Sequence, residues 1–173
     1  MDHTWNEIYE QPAALERLLA AEERNVQTIA AAVRASGVRW ALLAARGTSD
    51  HAAVYTQYLL GLRQHLPVAL ATPSLYTLYD TAPRLVDTLV IGVSQSGRSP
   101  DIVAVVEDAR AQGQPTLAIT NDLASRLAAA AERTIQLRAG PERSPLSRWG
   151  AGQVLASRGR RRGTRLRRVV ECG

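Results

Sequence analysis

The sequence of 173 residues contains no phenylalanine, and aromatic residues make up only 5% of it. Apolar residues still make up 46%, and this length is enough for one domain with a sizeable core. That core has to be built from leucine, valine, isoleucine and alanine. Such a composition favours an α/β domain over a β-sandwich.

Cysteine is almost absent as well. Cys172 is the single cysteine, so the chain has neither an internal disulfide nor a cysteine-based metal cluster, and no other ligand set calls for a metal or cofactor. Met1 is followed by Asp2 and His3 rather than by the basic start and apolar core of a signal peptide. No apolar run approaches the ~20 residues of a membrane span. We therefore expect a cytoplasmic protein that makes no membrane contact.

Lysine is missing entirely, and all 21 basic residues are arginine. They are unevenly distributed. Residues 145–173 hold eight arginines and one acid, a charge of +7, whereas residues 1–144 hold thirteen arginines and fifteen acids, a charge of −2. The net charge of +5 therefore comes from the tail, and the body of the protein is mildly acidic. This distribution argues against a nucleic-acid-binding domain.

Apolar periodicity predicts alternating helices and strands between residues 12 and 138. The predicted strands cover residues 39–45, 67–71, 88–93, 115–120 and 133–138. The predicted helices cover residues 12–35, 50–65, 100–112 and 121–132, while residues 73–79 fit one helical turn or two. The pattern predicts a parallel sheet covered by helices on both faces. The apolar stripe of the first helix consists of Leu15, Leu18, Leu19, Val26, Ile29 and Val33.

A hydroxyl-rich turn with the sequence Ser-Gln-Ser-Gly-Arg-Ser occupies residues 94–99, between a predicted buried strand and a predicted helix. The first amides of a helix have no carbonyl partner within the helix and favour an anion, and serine hydroxyls add further donors. Gly97 allows a positive φ or a close approach of the backbone to a ligand. Capping of the helix by these serines is the competing interpretation. We favour an anion site, because three hydroxyls and an amide fall within six residues.

A second polar turn, Arg-Gly-Thr-Ser at residues 46–49, also follows a predicted strand. In parallel sheets, ligands bind beyond the carboxyl ends of the strands, where the strand order reverses, so the two turns can meet in one crevice. Ser49 or Asp50 acting as a helix N-cap is the alternative here. We expect His51 to bond a neighbouring backbone group, Arg98 to face solvent and Glu142 to cap a helix.

Four motifs in order make residues 5–144 resemble the sugar isomerase (SIS) domain family. The nearest form is the isomerase half of glucosamine-6-phosphate synthases and its stand-alone relatives. The motifs are Arg46-Gly47-Thr48-Ser49-x-His51-Ala52, Ser94-Gln95-Ser96-Gly97, Asn121 followed by Ser125, and Ala139-Gly140-Pro141-Glu142. The resemblance implies a three-layer, flavodoxin-like fold with a five-stranded parallel sheet. It implies hexose-phosphate binding, in which hydroxyls of the two turns hold the phosphate. The implied site residues are Gly47, Thr48, Ser49, Ser94, Gln95, Ser96 and Ser99.

The resemblance stops near Pro145, where the family has a valine and continues into a second SIS domain. We expect a helical lead-in over residues 1–37, a SIS domain over 38–144, and an arginine-rich tail over 145–173 that is disordered or translated out of frame. The proton-transfer groups of the family belong to the missing half. Catalytic residues therefore remain unassigned, and we expect little or no isomerase activity from this chain alone.

The resemblance implies a sugar phosphate as ligand and, because SIS domains usually pair, a homodimer. The function predicted from it is sugar-phosphate binding in amino-sugar phosphate metabolism, by a fragment of an aldose–ketose isomerase or of a hexosamine-phosphate deaminase or isomerase. A sugar-phosphate sensor lacking its DNA-binding domain is the alternative. Binding of nucleic acid by the tail is a third hypothesis, and translation out of frame explains the tail better.

Overall fold

The computed structural model describes residues 9–140, which form a five-stranded parallel sheet with helices on both faces. The strands are β1 (Trp40–Ala44), β2 (Val68–Leu70), β3 (Thr88–Val93), β4 (Thr116–Thr120) and β5 (Arg133–Gln136). The helices are α1 (Gln11–Ala35), α2 (Thr48–Gln64), α3 (Ser74–Thr77), α4 (Pro100–Ala111) and α5 (Arg126–Ala130). The predicted fold class is confirmed. No helix among residues 9–140 has the length and apolar character needed to cross a membrane.

The order of strands across the sheet is β2-β1-β3-β4-β5. The chain runs outward from β1 to β2, returns to the other side of β1 and then continues to β5. The order therefore reverses between β1 and β3, and these two strands pair in parallel with Ala44 opposite Gly92. Because their carboxyl ends lie level with each other, the turns that follow them leave the sheet side by side.

Two apolar clusters, one on each face, hold the layers together. Helices α1 and α2 contribute Ile29 and Ala53 to the first cluster, which covers one face of the sheet. On the other face, α4 and α5 contribute Val106 and Leu127 to the second cluster. Strand β3 lies at the centre, and all six of its residues are buried. The continuous apolar run in its sequence is typical of a parallel strand covered on both faces.

Gly92 in β3 brings the second helical layer close to the sheet. A Cβ atom placed there would lie 2.8 Å from Cγ2 of Val106 and 2.9 Å from Cδ1 of Leu127. Contacts this short would force α4 and α5 outward, since interiors are packed almost as densely as organic crystals. The missing side chain thus sets how closely the middle of α4 and the side chain of Leu127 approach the end of β3.

The first helix differs from its predicted stripe. Leu19 is exposed, and Glu22 is buried in its place. A buried carboxylate needs partners. Glu22 accepts hydrogen bonds from Nε of Arg138 at 3.0 Å and from Nδ2 of Asn25 at 2.8 Å. Hydrophobic periodicity cannot anticipate this exchange, because Arg138 lies more than a hundred residues further along the chain.

Other boundaries move by a few residues. The predicted helix over residues 121–132 is confined to α5, because residues 121–125 form a turn in which Ser125 accepts a hydrogen bond from the amide of Ala128 at 3.3 Å. Residues 73–79 contain the single short helix α3. The prediction for Glu142, the boundary at residue 144 and the arginine-rich tail lie outside the described residues.

Candidate functional site

The β1 turn (residues 46–49) and the β3 turn (residues 94–99) meet at the edge of the sheet where the strand order reverses. An ion pair links the β1 turn to the helix that follows the β3 turn, since Nη1 of Arg46 lies 2.9 Å from Oδ2 of Asp101, in the first turn of α4. In sheets of this order, the crevice at the reversal is where ligands bind. The two turns singled out in the sequence are therefore neighbours.

The β1 turn passes directly into α2. Gly47 is the N-cap residue, with φ 63° and ψ −133°. Residues other than glycine rarely adopt this backbone conformation. The amide of Asp50 donates to the carbonyl oxygen of Gly47 at 3.0 Å. Thr48 is exposed and Ser49 is buried at the base of the turn. Neither Ser49 nor Asp50 caps the helix, so the alternative interpretation of this turn as a side-chain cap is wrong.

The β3 turn is longer and carries four of the predicted ligand residues. Ser94 is buried and Ser96 is exposed, while Gln95 and Ser99 are partly exposed. Ser99 is the N-cap residue of α4, but its hydroxyl makes no capping hydrogen bond. Ser96 accepts one long bond, 3.4 Å, from the amide of Arg98. Capping therefore does not account for the hydroxyl of Ser99, and the N-terminus of α4 has no side-chain cap.

The last residue of β4 and the segment that follows it hold the β3 turn in place by hydrogen bonds; we call these contacts the brace. The carbonyl oxygen of Gln95 accepts two hydrogen bonds, from the amide of Asn121 and from Oγ1 of Thr120, both at 3.0 Å. The carbonyl oxygen of Gly97 accepts from the amide of Leu127, also at 3.0 Å. Two backbone carbonyls of the β3 turn are therefore fixed by hydrogen bonds to other segments of the chain.

Gly97 has φ 61°, as expected for a glycine that allows a positive φ. The groups that lie close to the Gly97 backbone, however, are other residues of this chain. A Cβ atom at this position would overlap Ser125 and would lie 2.9 Å from Oγ1 of Thr120. The sequence motif of Asn121 followed by Ser125 therefore corresponds to the brace behind the turn, a role that the sequence analysis did not find.

The segment that follows β5 is also tied to this edge. The side chain of Asn121 donates to the carbonyl oxygen of Gly140 at 2.8 Å and accepts from the amide of Ala139 at 2.9 Å. Arg138, just before it, bonds Glu22 of α1. These contacts fix the start of the fourth motif, whose remaining residues lie beyond the described part of the chain.

The charges around the two turns nearly balance. Arg46 is engaged by Asp101, and Arg98 is exposed, as expected. Asp50 and Asp101 lie in the first turns of α2 and α4, where the helix dipole favours a carboxylate. His51 is exposed, and its side chain makes no hydrogen bond to another of residues 9–140, which contradicts its expected backbone contact. The arrangement offers hydroxyl, amide and backbone N–H donors, the groups that bind an anion.

Two other features lie away from the turns. Tyr76 of α3 packs against the second core cluster. Burial, and then the charge of Asp108, raises the pKa of its phenol above the usual value. A cavity of about 70 Å³, lined in part by Leu89, Pro115 and Arg133, lies at the amino-terminal ends of the strands. Because this cavity is at the opposite end of the sheet, we do not assign the ligand to it.

Comparison with known proteins agrees with this geometry. The SIS domain family model matches residues 38–149. A glutamine–fructose-6-phosphate aminotransferase (isomerizing) of Halobacterium salinarum is 35% identical over 143 residues, which cover 79% of this chain and 24% of the relative. The chain thus spans about a quarter of the length of the curated relatives it matches.

Solved structures show the same fold. A candidate phosphosugar isomerase of Silicibacter pomeroyi DSS-3 superposes with a TM-score of 0.86 at 39% identity, over 91% of this chain and 48% of that chain. The NanR protein of Vibrio vulnificus, solved in complex with ManNAc-6P, superposes with a TM-score of 0.69 at 18% identity, over 90% of this chain and 59% of that chain, and shows the fold alone. Since the family model matches more than half of the sequence, this chain belongs to the SIS domain family.

Proposed function

We propose that the β1 turn and the β3 turn together bind the phosphate group of a sugar phosphate. The observation that carries the proposal is their meeting at the reversal of strand order, each leading into a helix whose N-terminus has no side-chain cap. Amides at two helix N-termini attract a phosphate, which carries close to two negative charges. The proposed contacts come from Gly47, Thr48, Ser49, Ser94, Gln95, Ser96 and Ser99.

Anchoring of the β3 turn supports a binding role. The carbonyl oxygens of Gln95 and Gly97 already have partners, so little ordering of the backbone is needed when a ligand arrives. A site that is ordered beforehand loses less entropy on binding and so binds more tightly. The exposed hydroxyl of Ser96 and the partly exposed hydroxyl of Ser99 remain on the outer side of this turn.

The relatives support a hexose 6-phosphate in amino-sugar phosphate metabolism as the ligand, because several are named for fructose 6-phosphate. We do not expect this chain alone to isomerise it. Aldose–ketose isomerisation needs a base held near the reacting carbon. The acids beside the two turns, Asp50 and Asp101, lie in the first turns of α2 and α4, and Asp101 is paired with Arg46. We therefore assign neither of them as that base. A sugar-phosphate sensor is the alternative, supported by the shared fold of the NanR complex. A cytoplasmic location and a homodimer stay predictions.

The test is calorimetric titration of the full chain with fructose 6-phosphate and glucosamine 6-phosphate, with unphosphorylated fructose for comparison. Ser96→Ala is expected to weaken hexose-phosphate binding about tenfold, since a hydrogen bond to a charged group contributes about 1.5–3 kcal/mol. It should leave the melting temperature unchanged, because Ser96 is exposed and accepts only one long bond.

Ser36→Ala is the matched control. Ser36 is exposed at the C-terminal end of α1, and its hydroxyl bonds the carbonyl oxygen of Val33 at 2.7 Å. Its loss should not affect binding. The proposal fails if neither hexose phosphate binds, or if Ser96→Ala binds as well as the original chain. Measurable isomerisation of fructose 6-phosphate would contradict the binding-only role.

A variant truncated after Ser144 tests the proposed domain boundary. If residues 38–144 form the SIS domain, the truncated chain should bind hexose phosphates as tightly as the full chain. Loss of that binding would show that residues 145–173 belong to the domain. Binding of random DNA by the full chain, lost on truncation and sensitive to salt, would instead assign the tail to nucleic acid.

A further inference from the structure

Glu22 is the most deeply buried charged residue among residues 9–140, and it lies in the middle of α1. It is only 6% exposed. Ile29 already packs α1 against the first core cluster, and apolar side chains can replace a buried ion pair at little or no cost in stability. Attachment of α1 to the sheet therefore does not explain why a carboxylate is buried at this position.

Arg138, which donates a hydrogen bond to this carboxylate, has an unusual backbone conformation. Its φ is 52°, in the left-handed region that residues other than glycine rarely occupy. Such a conformation persists only where surrounding contacts hold it. Nε of Arg138 lies 3.0 Å from Oε1 of Glu22. The next residue is held as well, because the amide of Ala139 donates to Oδ1 of Asn121 at 2.9 Å. Glu22 thus holds one side of a strained bend whose other side is fixed by Asn121.

This bend carries the chain from the end of β5 to the brace behind the β3 turn. Nδ2 of Asn121 donates to the carbonyl oxygen of Gly140 at 2.8 Å, so the side chain of Asn121 holds residues 139–140 at two points. The backbone amide of Asn121 donates to the carbonyl oxygen of Gln95, in the β3 turn, at 3.0 Å. A continuous series of hydrogen bonds and short chain segments therefore joins Glu22 to the proposed phosphate site.

We propose that Glu22 is a positioning residue for sugar-phosphate binding: by holding Arg138 in its left-handed conformation, it keeps Asn121 and the β3 turn in place. This rests on the proposed function and adds α1 to the support of the same site. The family model matches residues 38–149, so α1 (Gln11–Ala35) lies outside it. The helix predicted as a lead-in to the domain is thus needed for the affinity of the site.

Substitution of Glu22 by leucine separates positioning from stability. Leucine resembles glutamate in size and suits a buried place on α1, and Arg138 is not left buried without a partner, because its side chain is 44% exposed. Asn25 keeps its second hydrogen bond, to the carbonyl oxygen of Thr134. The melting temperature of Glu22→Leu should therefore be unchanged or higher. Calorimetric titration of the full chain should nevertheless show binding of fructose 6-phosphate weakened about fivefold, since Arg138 is no longer held.

Glu16→Leu is the matched control for this titration. Glu16 is exposed on the same helix, so its substitution makes the same chemical change without removing the acceptor of Arg138. Binding of fructose 6-phosphate by Glu16→Leu should stay within about twofold of the original chain. If Glu22→Leu binds as tightly as the original chain, or if the two variants lose affinity equally, the positioning role is wrong.

Hydrogen exchange of the original chain gives a test that does not depend on any variant folding. Coupling between two sites is reciprocal, so a ligand at the β3 turn should also steady the residues next to Arg138. Fructose 6-phosphate, at a concentration that saturates the site in calorimetry, should slow exchange of the Ala139 amide. Exchange at Leu85, which precedes β3 at the opposite end of the sheet, should stay unchanged. Equal exchange at Ala139 with and without bound ligand would overturn the proposal.

Failure of the positioning role and failure of the phosphate site give different results. Equal binding of fructose 6-phosphate by the original chain and by Glu22→Leu would refute the positioning role alone. If the original chain does not bind hexose phosphates, the phosphate site is refuted, and exchange of the Asn121 and Ala139 amides without ligand still tests the support. Faster exchange of both amides in Glu22→Leu would then show that Glu22 holds the brace, and equal exchange would refute that as well.

Discussion

The two turns at the proposed site are built in different ways, although both follow a buried parallel strand and both lead into a helix. The β1 turn is four residues long and is held mainly by its own helix, through the hydrogen bond between the Asp50 amide and the Gly47 carbonyl. The β3 turn is six residues long and has its carbonyls anchored on Thr120, Asn121 and Leu127. One turn is shaped locally, and the other by a neighbouring segment of the fold.

This difference shows where stability and ligand binding are coupled. Substitutions that disturb the backbone of the β3 turn, as at Gly97, or that remove its brace should affect both, because the brace belongs to the core side of the sheet edge. Substitutions in the β1 turn should affect the fold less.

The largest expected effect is at the two glycines. Gly97→Ala combines positive-φ strain with overlap against Ser125, and we expect a loss of about 4 kcal/mol in the free energy of unfolding. Gly47→Ala meets no atom within 4 Å, so it should cost only the backbone strain, about 2 kcal/mol. Urea unfolding of both variants measures the difference. Equal losses would mean that the brace does not constrain the β3 turn.

A smaller loss of stability is expected when the side chain of Asn121 is removed. Asn121→Ala leaves the Ala139 amide and the Gly140 carbonyl without their side-chain partner, at a cost of about 1–3 kcal/mol. Hydrogen exchange should then quicken at Gly97, in the β3 turn, and stay unchanged at Asp50, beside the β1 turn.

The control for that prediction is Asn25→Ala. Asn25 also makes two side-chain hydrogen bonds, to Glu22 and to the carbonyl oxygen of Thr134, but it is exposed on α1. Its loss takes a donor from the buried carboxylate of Glu22 and should cost a similar amount, but it should leave exchange in both turns unaltered. Faster exchange at Asp50 in Asn121→Ala would show that the two turns share one support.

The smallest effect is expected at the ion pair between the β1 turn and the first turn of α4. The side chain of Arg46 is 57% exposed, so its pairing with Asp101 contributes about 0.5 kcal/mol or less. A double-mutant cycle of Arg46→Ala and Asp101→Asn, measured by urea unfolding, should give this value at low salt and a smaller one at 0.5 M sodium chloride. A coupling above about 1.5 kcal/mol would mean that the β1 turn depends on tertiary contacts as much as the β3 turn does.

Sequence patterns located the two turns and the strands that precede them. Strand β3 was predicted with the bounds that the structure has, because a central parallel strand is apolar throughout and its limits are visible as Asp87 and Ser94. The roles of Thr120 and Ser125 were missed, since a buried hydroxyl looks like any other residue of a strand end or turn. The motif of Asn121 followed by Ser125 marked these positions in the sequence. Their role as contacts of the β3 turn is visible only in the structure.

The exposure of apolar side chains on the outer face of α2 was also beyond the sequence. Val54, Tyr58 and Leu62 look like core residues by composition, and only the packing of α2 through Ala53 and its neighbours shows that they face outward. Glu22 shows the reverse case, a charged residue that became buried once Arg138 was brought to it.

By itself the sequence determined the alternation of strands and helices and the two hydroxyl-rich turns, because these depend on apolar periodicity and on residues within a few positions of one another. Tertiary structure alone decided that β1 and β3 are neighbours, that residues 120–127 brace the β3 turn, and that one face of α2 is left uncovered. Those outcomes depend on contacts between segments twenty or more residues apart. The order in which the strands pair, which no local pattern encodes, brings these segments together.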